Sequence, residues 1–194
     1  MRTQLRIVAG SLKGRKLACT VAPTLRPMPE MVRQALFSIL GNAVPCRAFY
    51  DLFAGTGAVG LEALSRGASA VTFVERDVRI ANEIADHLER FGVADRASVQ
   101  RADVYRWADR WQAPAEPVTL FLGPPYPDYQ NRLDAFLRLV EGLQQKVAVG
   151  SVVAVQGEQT FAFDRLPGDG WDQRCYGRNW LLFWVKEPPM TNDQ

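Results

Sequence analysis

The chain has 194 residues and a net charge of +2, and this length fits one domain with its own hydrophobic core. No apolar run reaches the roughly 18 residues of a membrane-spanning helix, and the first residues lack the apolar core of a secretory signal peptide. The three cysteines lie far apart without metal-ligand spacing, which indicates a reducing compartment. We therefore predict a cytoplasmic protein that has no membrane segment and no metal site.

The positive charge is concentrated near the N-terminus. Residues 1–33 contain seven basic residues and a single acid, Glu30, so the rest of the chain is mildly acidic. Two interpretations are open: a solvated surface segment, or a patch that binds phosphate groups. The basic residues are Arg2, Arg6, Lys13, Arg15, Lys16, Arg26 and Arg33.

The N-terminal segment predicts two small elements. Residues 4–21 alternate loosely between apolar and polar and contain two glycines, which favours a short hairpin. From Pro29 to Asn42 the apolar residues recur at three-and-four spacing, which predicts an amphipathic helix. Pro29 suits the first turn of this helix, and Gly41 suits its end.

After Pro45, short apolar runs alternate with helical patterns, which is typical of a parallel sheet covered on both faces. The segments Asp77–Phe91 and Asn131–Gln145 each carry one apolar stripe and predict helices. A C-terminal antiparallel hairpin is predicted from Trp171–Tyr176 and Trp180–Val185. The predicted parallel strands are Ala48–Phe53, Ala70–Glu75, Ala97–Arg101, Val118–Leu122 and Ser151–Gln156.

A glycine-rich segment from Asp51 to Gly60 follows the first predicted parallel strand and opens a helix. Glycines in such a turn let backbone amides approach a ligand, and the helix N-terminus favours negative charge. Glu75 ends the next strand, where a carboxylate can accept both hydroxyls of a ribose. This spacing also matches the dinucleotide fingerprint, so a nicotinamide or flavin cofactor is an alternative.

Two features argue against a dinucleotide. Asp51 would repel a pyrophosphate, whereas it attracts an ammonium group directly or through water. The second feature is the turn Gly123–Tyr126, read Gly-Pro-Pro-Tyr, directly after the fourth strand and at the sheet edge where ligands enter. S-adenosylmethionine has an ammonium group and no phosphate, so the sequence favours this cofactor.

These motifs resemble the amino-methyltransferases, and within them the bacterial small-subunit rRNA guanine methyltransferases of the RsmD type. The resemblance covers nearly the whole chain, and its specificity lies in the order of the matches. The matching segments are Arg6–Gly10, Lys13–Leu17, Leu25–Pro27, Asp51–Gly57, Gly60–Arg66, Pro124–Tyr126 and Tyr176–Gly177, with Arg33 and Phe37.

The resemblance implies an α/β fold, with a seven-stranded, mostly parallel Rossmann-like sheet and helices on both faces. It implies three parts: a basic RNA-binding extension over 1–43, a methyltransferase domain over 44–187, and a flexible tail over 188–194. The implied reaction moves a methyl group from S-adenosylmethionine to the 2-amino group of a guanine in 16S rRNA, of the guanine-966 type. The implied partner is 16S rRNA or the assembling small subunit, and we expect a monomer.

The resemblance also implies a set of site residues. Asp51, Gly55 and Gly57 would hold the methionine end of the cofactor, together with Phe53 and Ala54. Glu75 would bind the ribose, and Asp103 the adenine amino group; Asp103 is also a candidate helix cap, and the two roles are compatible. The implied catalytic turn is Gly123, Pro124, Pro125 and Tyr126. The implied RNA contacts are Arg6, Lys13, Arg15, Lys16, Arg26 and Arg33.

One position departs from the family pattern, which has Asp or Asn before Pro-Pro-aromatic, whereas this chain has Gly123. By resemblance, that side chain and a carbonyl of the turn bind the target amine, while Tyr126 stacks on the flipped base. Losing one such hydrogen bond costs about 2–4 kcal/mol of transition-state stabilisation.

Three explanations of Gly123 are open. In a working enzyme the Pro124 carbonyl, water or Asp128 would partly replace the missing group. Otherwise the protein is a non-catalytic paralogue that binds cofactor and rRNA or ribosomes, or the change is particular to this sequence. The five tryptophans are expected to pack in the core or the hairpin, and His87 is expected to be exposed.

Overall fold

A computed structural model describes residues 2–20, 27–158 and 163–189. Within these ranges no helix is long and apolar enough to cross a membrane. The strands are β1 (Arg2–Arg6), β2 (Lys16–Thr20), β3 (Ala48–Leu52), β4 (Ala70–Glu75), β5 (Ala97–Arg101), β6 (Thr119–Leu122), β7 (Val152–Glu158), β8 (Asp172–Tyr176) and β9 (Asn179–Val185). The α-helices are α1 (Glu30–Leu40), α2 (Ala58–Ser65), α3 (Val78–Phe91), α4 (Val104–Arg110), α5 (Tyr126–Asn131) and α6 (Leu133–Lys146).

The main sheet has seven strands in the order β5-β4-β3-β6-β7-β9-β8. The first five are parallel to one another, and β9 is antiparallel to both β7 and β8. β6 lies in the middle and all four of its residues are buried, as expected for a strand covered on both faces. The predicted seven-stranded, mostly parallel sheet with a C-terminal hairpin is therefore confirmed. β1 and β2 form a separate antiparallel hairpin.

Two hydrophobic clusters lie on opposite faces of the sheet. One contains residues of α1, α2 and α3, including Leu36, Leu61 and Ile84. The other contains residues of α4 and α6, including Val104 and Phe136. Helices therefore cover both faces, as a parallel sheet requires.

The N-terminal hairpin belongs to the first of these clusters. Ile7, directly after β1, and Leu17 in β2 are fully buried in it. β1 and β2 consequently share their core with the main sheet, and the exposed residues of the hairpin are held in a fixed position.

The structure contains a short helix that the sequence pattern did not predict. α5 begins after Pro125, which has φ −64° and ψ 146°, and Pro127 lies in its first turn. Proline is well suited to a first helical turn, where no backbone donor is needed. Six residues are too few to show a periodic stripe, so the prediction placed a helix only from residue 131 onward.

The structure corrects the prediction for His87, which is buried instead of exposed. His87 lies on the apolar side of α3 between Ile84 and Phe91, and its ring centre is 6.0 Å from that of Phe91. Burial is the main cause that lowers the pKa of His87, so the neutral imidazole is favoured. The predicted packing role of the tryptophans is confirmed, since all five are half-buried against the second hydrophobic cluster.

Candidate active site

A cavity of about 550 Å³ opens at the carboxyl ends of the parallel strands. Open α/β sheets bind ligands at this edge, and the volume is within the usual range for small-molecule sites. Its walls come from the segments that follow β3, β4, β5 and β6 and from the end of β7. The predicted site residues that line it are Phe53, Gly55, Glu75, Asp103, Gly123, Pro124, Pro125 and Tyr126.

The glycine turn after β3 has an uncommon backbone conformation. Phe53, Gly55 and Gly57 have φ values of 65°, 52° and 71°, in a left-handed region that glycine adopts easily and phenylalanine adopts only with strain. Gly57 caps the N-terminus of α2. A Cβ at Gly57 would lie 2.9 Å from Ile84 Cγ1, so the backbone and the close packing of α3 both require glycine there.

Asp51, Ala54 and Gly57 are buried behind the turn and away from the cavity wall. Asp51 Oδ2 accepts a hydrogen bond from Gly60 N at 2.8 Å. Burial raises the pKa of Asp51 to about 7, while the bond from Gly60 opposes the rise. Asp51 therefore joins the end of β3 to the first turn of α2, and its contact with a ligand ammonium group stays a prediction.

Glu75 ends β4 and faces the glycine turn. Its Oε2 accepts from Gly55 N at 2.9 Å, and its Oε1 accepts from Asp77 N at 2.8 Å. Each carboxylate oxygen can accept a further hydrogen bond, so the side chain is fixed while acceptor capacity remains. This arrangement suits the two hydroxyls of a ribose.

Asp103 follows β5 and caps the N-terminus of α4. Its Oδ1 accepts from Tyr105 N at 3.1 Å and from Arg106 N at 3.3 Å, so the helix-capping interpretation is confirmed. Its Oδ2 lies 3.7 Å from Arg132 Nη1. Capping thus uses one oxygen, and the other faces Arg132 beside the cavity.

The Pro-Pro-Tyr turn brings an aromatic ring to the opposite wall. Gly123 N donates to Leu52 O at 3.2 Å, which holds the start of the turn against β3. Tyr126 lines the cavity with 36% of its surface exposed, and its hydroxyl accepts from Gln130 Nε2 at 3.1 Å. An exposed ring on a rigid turn is suited to stacking with a planar group.

Asp128, a predicted replacement for the missing side chain at position 123, is buried in α5. Tyr105 Oη donates to Asp128 Oδ2 at 2.7 Å. Burial, followed by this bond, raises the pKa of Tyr105. The guanidinium carbon of Arg132 lies 3.9 Å from the centre of the Tyr105 ring. The sequence showed no pattern that would have linked Tyr105, Asp128 and Arg132.

Exposed cations cover the N-terminal hairpin, where Arg6, Lys13, Arg15 and Lys16 are all exposed. Arg90 joins this surface, because its Nη2 donates to Lys16 O at 2.8 Å. Arg90 was not among the predicted RNA contacts, because exposed cations are common in the last turn of a helix. Arg26 lies outside the described residues.

The structure corrects the prediction for Arg33, whose side chain is only 1% exposed. Its Nη2 donates to Arg6 O at 2.6 Å, and its Nε lies 3.6 Å from Glu62 Oε2. A guanidinium group buried between the hairpin and α2 cannot reach a phosphate on the surface. The prediction that Arg33 contacts RNA is therefore wrong, and its role is to attach the hairpin to the domain.

The hairpin also reaches the cofactor side of the molecule. Cys19 Sγ lies 4.0 Å from Thr56 O in the glycine turn. Thr20 donates to the carboxylate of Glu83 in α3, through its N at 2.9 Å and its Oγ1 at 2.5 Å. β2 is therefore fixed against the glycine turn.

A protein family and two bacterial relatives resemble long parts of the chain. A family model described as "Conserved hypothetical protein 95" matches residues 5–184. The Bacillus subtilis (strain 168) protein YlbH is 33% identical over 154 residues, which cover 77% of this chain and 81% of that protein. Ribosomal RNA small subunit methyltransferase D of Escherichia coli (strain K12) is 41% identical over 85 residues, covering 44% of this chain and 43% of that protein.

A solved structure shares the fold over nearly the full length. The Escherichia coli protein yhhF superimposes with a TM-score of 0.80 at 25% identity, and covers 96% of this chain and 100% of its own. The fold, the order of the motifs and the match over residues 5–184 agree. The chain belongs to the RsmD-type family of methyltransferases.

Proposed function

We propose that this protein transfers a methyl group from S-adenosylmethionine to the exocyclic 2-amino group of a guanine in small-subunit ribosomal RNA. The observation that carries the proposal is a single cavity bordered on one side by Glu75 and Asp103 and on the other by Pro124–Tyr126. The first side suits a nucleoside, and the second presents an aromatic ring to a flipped base. Family membership and the name of the Escherichia coli relative support ribosomal RNA as the substrate.

The charge of the cavity fits S-adenosylmethionine better than a dinucleotide. Five acidic residues and one basic residue line it, namely Glu75, Asp77, Asp103, Asp128 and Glu158 against Arg76. An acidic lining attracts the sulfonium and ammonium cations and repels a pyrophosphate. The bound cofactor supplies a methyl group that the sulfonium sulfur has already activated. The residues of the chain therefore need mainly to align the amine and exclude competing orientations.

Cations of the N-terminal hairpin provide the proposed contacts to the RNA backbone. Phosphate contacts of this kind supply affinity and position without reading sequence. Lys13, Arg15, Lys16 and Arg90 are exposed on one surface. Because β2 contacts Thr56 in the glycine turn, RNA held on this surface lies on the side of the domain that contains the cofactor turn.

Titration calorimetry tests the cofactor. We expect binding of S-adenosylmethionine and S-adenosylhomocysteine, and no measurable binding of NADH. Glu75→Gln should weaken the affinity about 10- to 100-fold, because it removes charge from an acceptor of ribose hydroxyls. Glu89→Gln, an exposed residue of α3, is the matched control. Failure of the unmodified protein to bind either sulfur nucleoside would overturn the proposal.

Transfer of a tritiated methyl group to undermethylated small subunits tests the reaction. We expect label in the RNA, and nuclease digestion should recover it as 2-N-methylguanosine. Label recovered on another base would contradict the proposed guanine specificity.

One observation favours a second candidate function, a non-catalytic protein that binds rRNA or ribosomes and retains the cofactor. Gly123 removes a side-chain acceptor from the catalytic turn, while the cofactor side and the basic hairpin are kept. This candidate predicts cofactor binding and RNA binding with no transfer of label. The two measurements above therefore separate the two functions.

A further inference from the structure

Gly123 has no side chain to place in the cavity, but the neighbouring strand β7 places the side chain of Gln156 there. β6 and β7 are parallel, with Leu122 paired with Val155, so Gly123 and Gln156 are the next pair along. Side chains at paired positions of adjacent strands point to the same face of a sheet. Gln156 therefore projects on the face where a side chain at position 123 would project, and both residues line the cavity.

The amide of Gln156 takes the space beside the missing side chain. A Cβ at Gly123 would lie 3.7 Å from Gln156 Oε1 and 3.1 Å from Phe121 Cε1. Gln156 Nε2 donates to Asn179 Oδ1 at 3.1 Å, so the nitrogen is engaged by β9 and the oxygen faces Gly123. Tyr129 Oη donates to the backbone carbonyl of Gln156, which further fixes this end of β7.

We propose that Gln156 Oε1 is the side-chain acceptor for the target amine, in place of the missing side chain at position 123. Asn179 is then a positioning residue that keeps this oxygen turned toward the amine. The inference rests on the proposed function, since it names the residue that orients the guanine amine. A glutamine oxygen accepts an N–H bond as an asparagine oxygen does, so a side chain from β7 can supply what β6 lacks.

The hydrogen bond acts by orientation. Accepting one N–H of the 2-amino group directs the nitrogen lone pair toward the methyl carbon. The nitrogen gains the methyl carbon and gives one proton to water, while the pair of electrons of the broken carbon–sulfur bond stays on sulfur. Gln156 is neutral and keeps no proton, so its contribution is expected in kcat, with the pH dependence unchanged.

Single-turnover and steady-state kinetics on undermethylated small subunits test the proposal. Gln156→Ala should lower kcat about 10- to 100-fold, the range expected for one hydrogen bond made in the transition state, with little change in KM for RNA or in cofactor affinity. Gln145→Ala, an exposed glutamine of α6, should leave kcat unchanged. Asn179→Ala should lower kcat by a smaller factor. A Gln156→Ala protein with the original kcat would overturn the proposal.

A second variant separates a catalytic role from a structural one. Adding Gly123→Asp to Gln156→Ala restores an acceptor where the removed amide has made room, so kcat should recover most of the loss. Gly123→Asp alone should gain little, because even its Cβ would lie 3.1 Å from Phe121 Cε1 and 3.7 Å from Gln156 Oε1, which crowds the new carboxylate beside another acceptor. A double variant as slow as Gln156→Ala would contradict the inference. If the unmodified protein binds cofactor but transfers no label, the proposed function fails instead.

Discussion

Asp51 is a single carboxyl group whose ionisation is linked to folding. Burial raises its pKa from the ordinary value of 3.8 to about 7, so between these two pH values the folded chain holds a proton that the unfolded chain releases. The contribution of Asp51 to the free energy of unfolding is therefore largest below about pH 4 and declines as the pH rises to about 7. Above that pH the contribution is constant.

The variant Asp51→Asn isolates the contribution of Asp51 ionisation to stability, because an asparagine oxygen cannot ionise but can still accept from Gly60 N. We expect the variant to gain stability relative to the unmodified chain as the pH rises from about 4 to about 7. Urea unfolding of both proteins at several pH values measures the difference. A difference that does not change with pH would show that Asp51 ionises in the folded state as it does in the unfolded state.

At Gly60, α2 packs closely on Phe73 of the sheet. A Cβ there would lie 2.2 Å from Phe73 Cε1, so α2 or the ring must move. Gly60→Ala should lower the free energy of unfolding by about 3 kcal/mol, as overpacked cores do. Gly142→Ala is the matched control, since no atom beyond its chain neighbours and its own helix backbone lies within 4 Å of its Cβ and alanine in a helix should add about 0.5–1 kcal/mol.

The steric overlap between a Cβ at position 60 and the Phe73 ring predicts that a smaller side chain at position 73 restores stability. Phe73→Leu shortens the ring side chain and should recover part of the loss caused by Gly60→Ala. Thermal unfolding of the two single variants and the double variant measures the coupling. Strictly additive effects would mean that the two side chains do not compete for the same space.

At the scale of elements, Glu62 attaches the N-terminal hairpin to α2. Its fully buried carboxylate accepts from Val8 N at 2.8 Å, from Ala9 N at 3.0 Å and from Arg66 Nε at 2.9 Å, and it faces Arg33. Glu62→Gln replaces one acceptor with a donor and leaves the Arg33 guanidinium without its counter-charge. We expect a loss of about 3 kcal/mol, as for other buried ion pairs broken at one partner.

Hydrogen exchange and urea unfolding test this attachment. In the Glu62→Gln protein, exchange should accelerate first in the amides of residues 2–20. Glu141→Gln, on the exposed side of α6, should leave both measurements unchanged. Equal acceleration across the main sheet would argue that Glu62 stabilises the whole domain and not the hairpin in particular.

The elements that the sequence predicted well are those with long periodic patterns. α3 carries a repeated apolar stripe, and β3, β4, β6 and β7 carry short apolar runs between helical patterns, so the hydrophobic pattern identifies them. α5 is too short for a stripe, and Arg33 and His87 are polar residues on apolar faces. His87 had a usable signal, since it lies three residues after Ile84 and four before Phe91. Arg33 had a similar signal, since it lies three residues before Leu36 and four before Phe37 on the buried side of α1, although its partner Glu62 is distant in sequence and could not be predicted.

The site was predictable where it follows from local motifs and not where it depends on strand pairing. Glu75 and the Pro-Pro-Tyr turn end strands of one sheet, so topology brings them to one edge. Gln156 becomes relevant only once β6 and β7 are known to be neighbours in a particular register. Tyr105 and Asp128 likewise meet through the packing of α4 beside α5.

At the scale of the whole molecule, exposed cations lie on both faces of the sheet. The hairpin that carries Lys13, Arg15 and Lys16 packs on the face of α1 to α3, while α4 and α6 cover the other. If RNA binds the hairpin, only charges on the first face displace counterions from phosphates. Affinity for small-subunit RNA should therefore fall steeply with salt.

Replacing Lys13, Arg15 and Lys16 together by alanine should reduce the slope of log affinity against log salt by about 2 to 3, since each lost phosphate contact contributes about 0.7–0.9. The matched control removes three exposed cations of α4 and α6 and makes the same change in net charge: Arg106, Arg110 and Arg138. It should shift affinity slightly and leave the slope unchanged. Equal slopes in the two triple variants would mean that RNA responds to the overall charge of the protein and that the hairpin is not its binding surface.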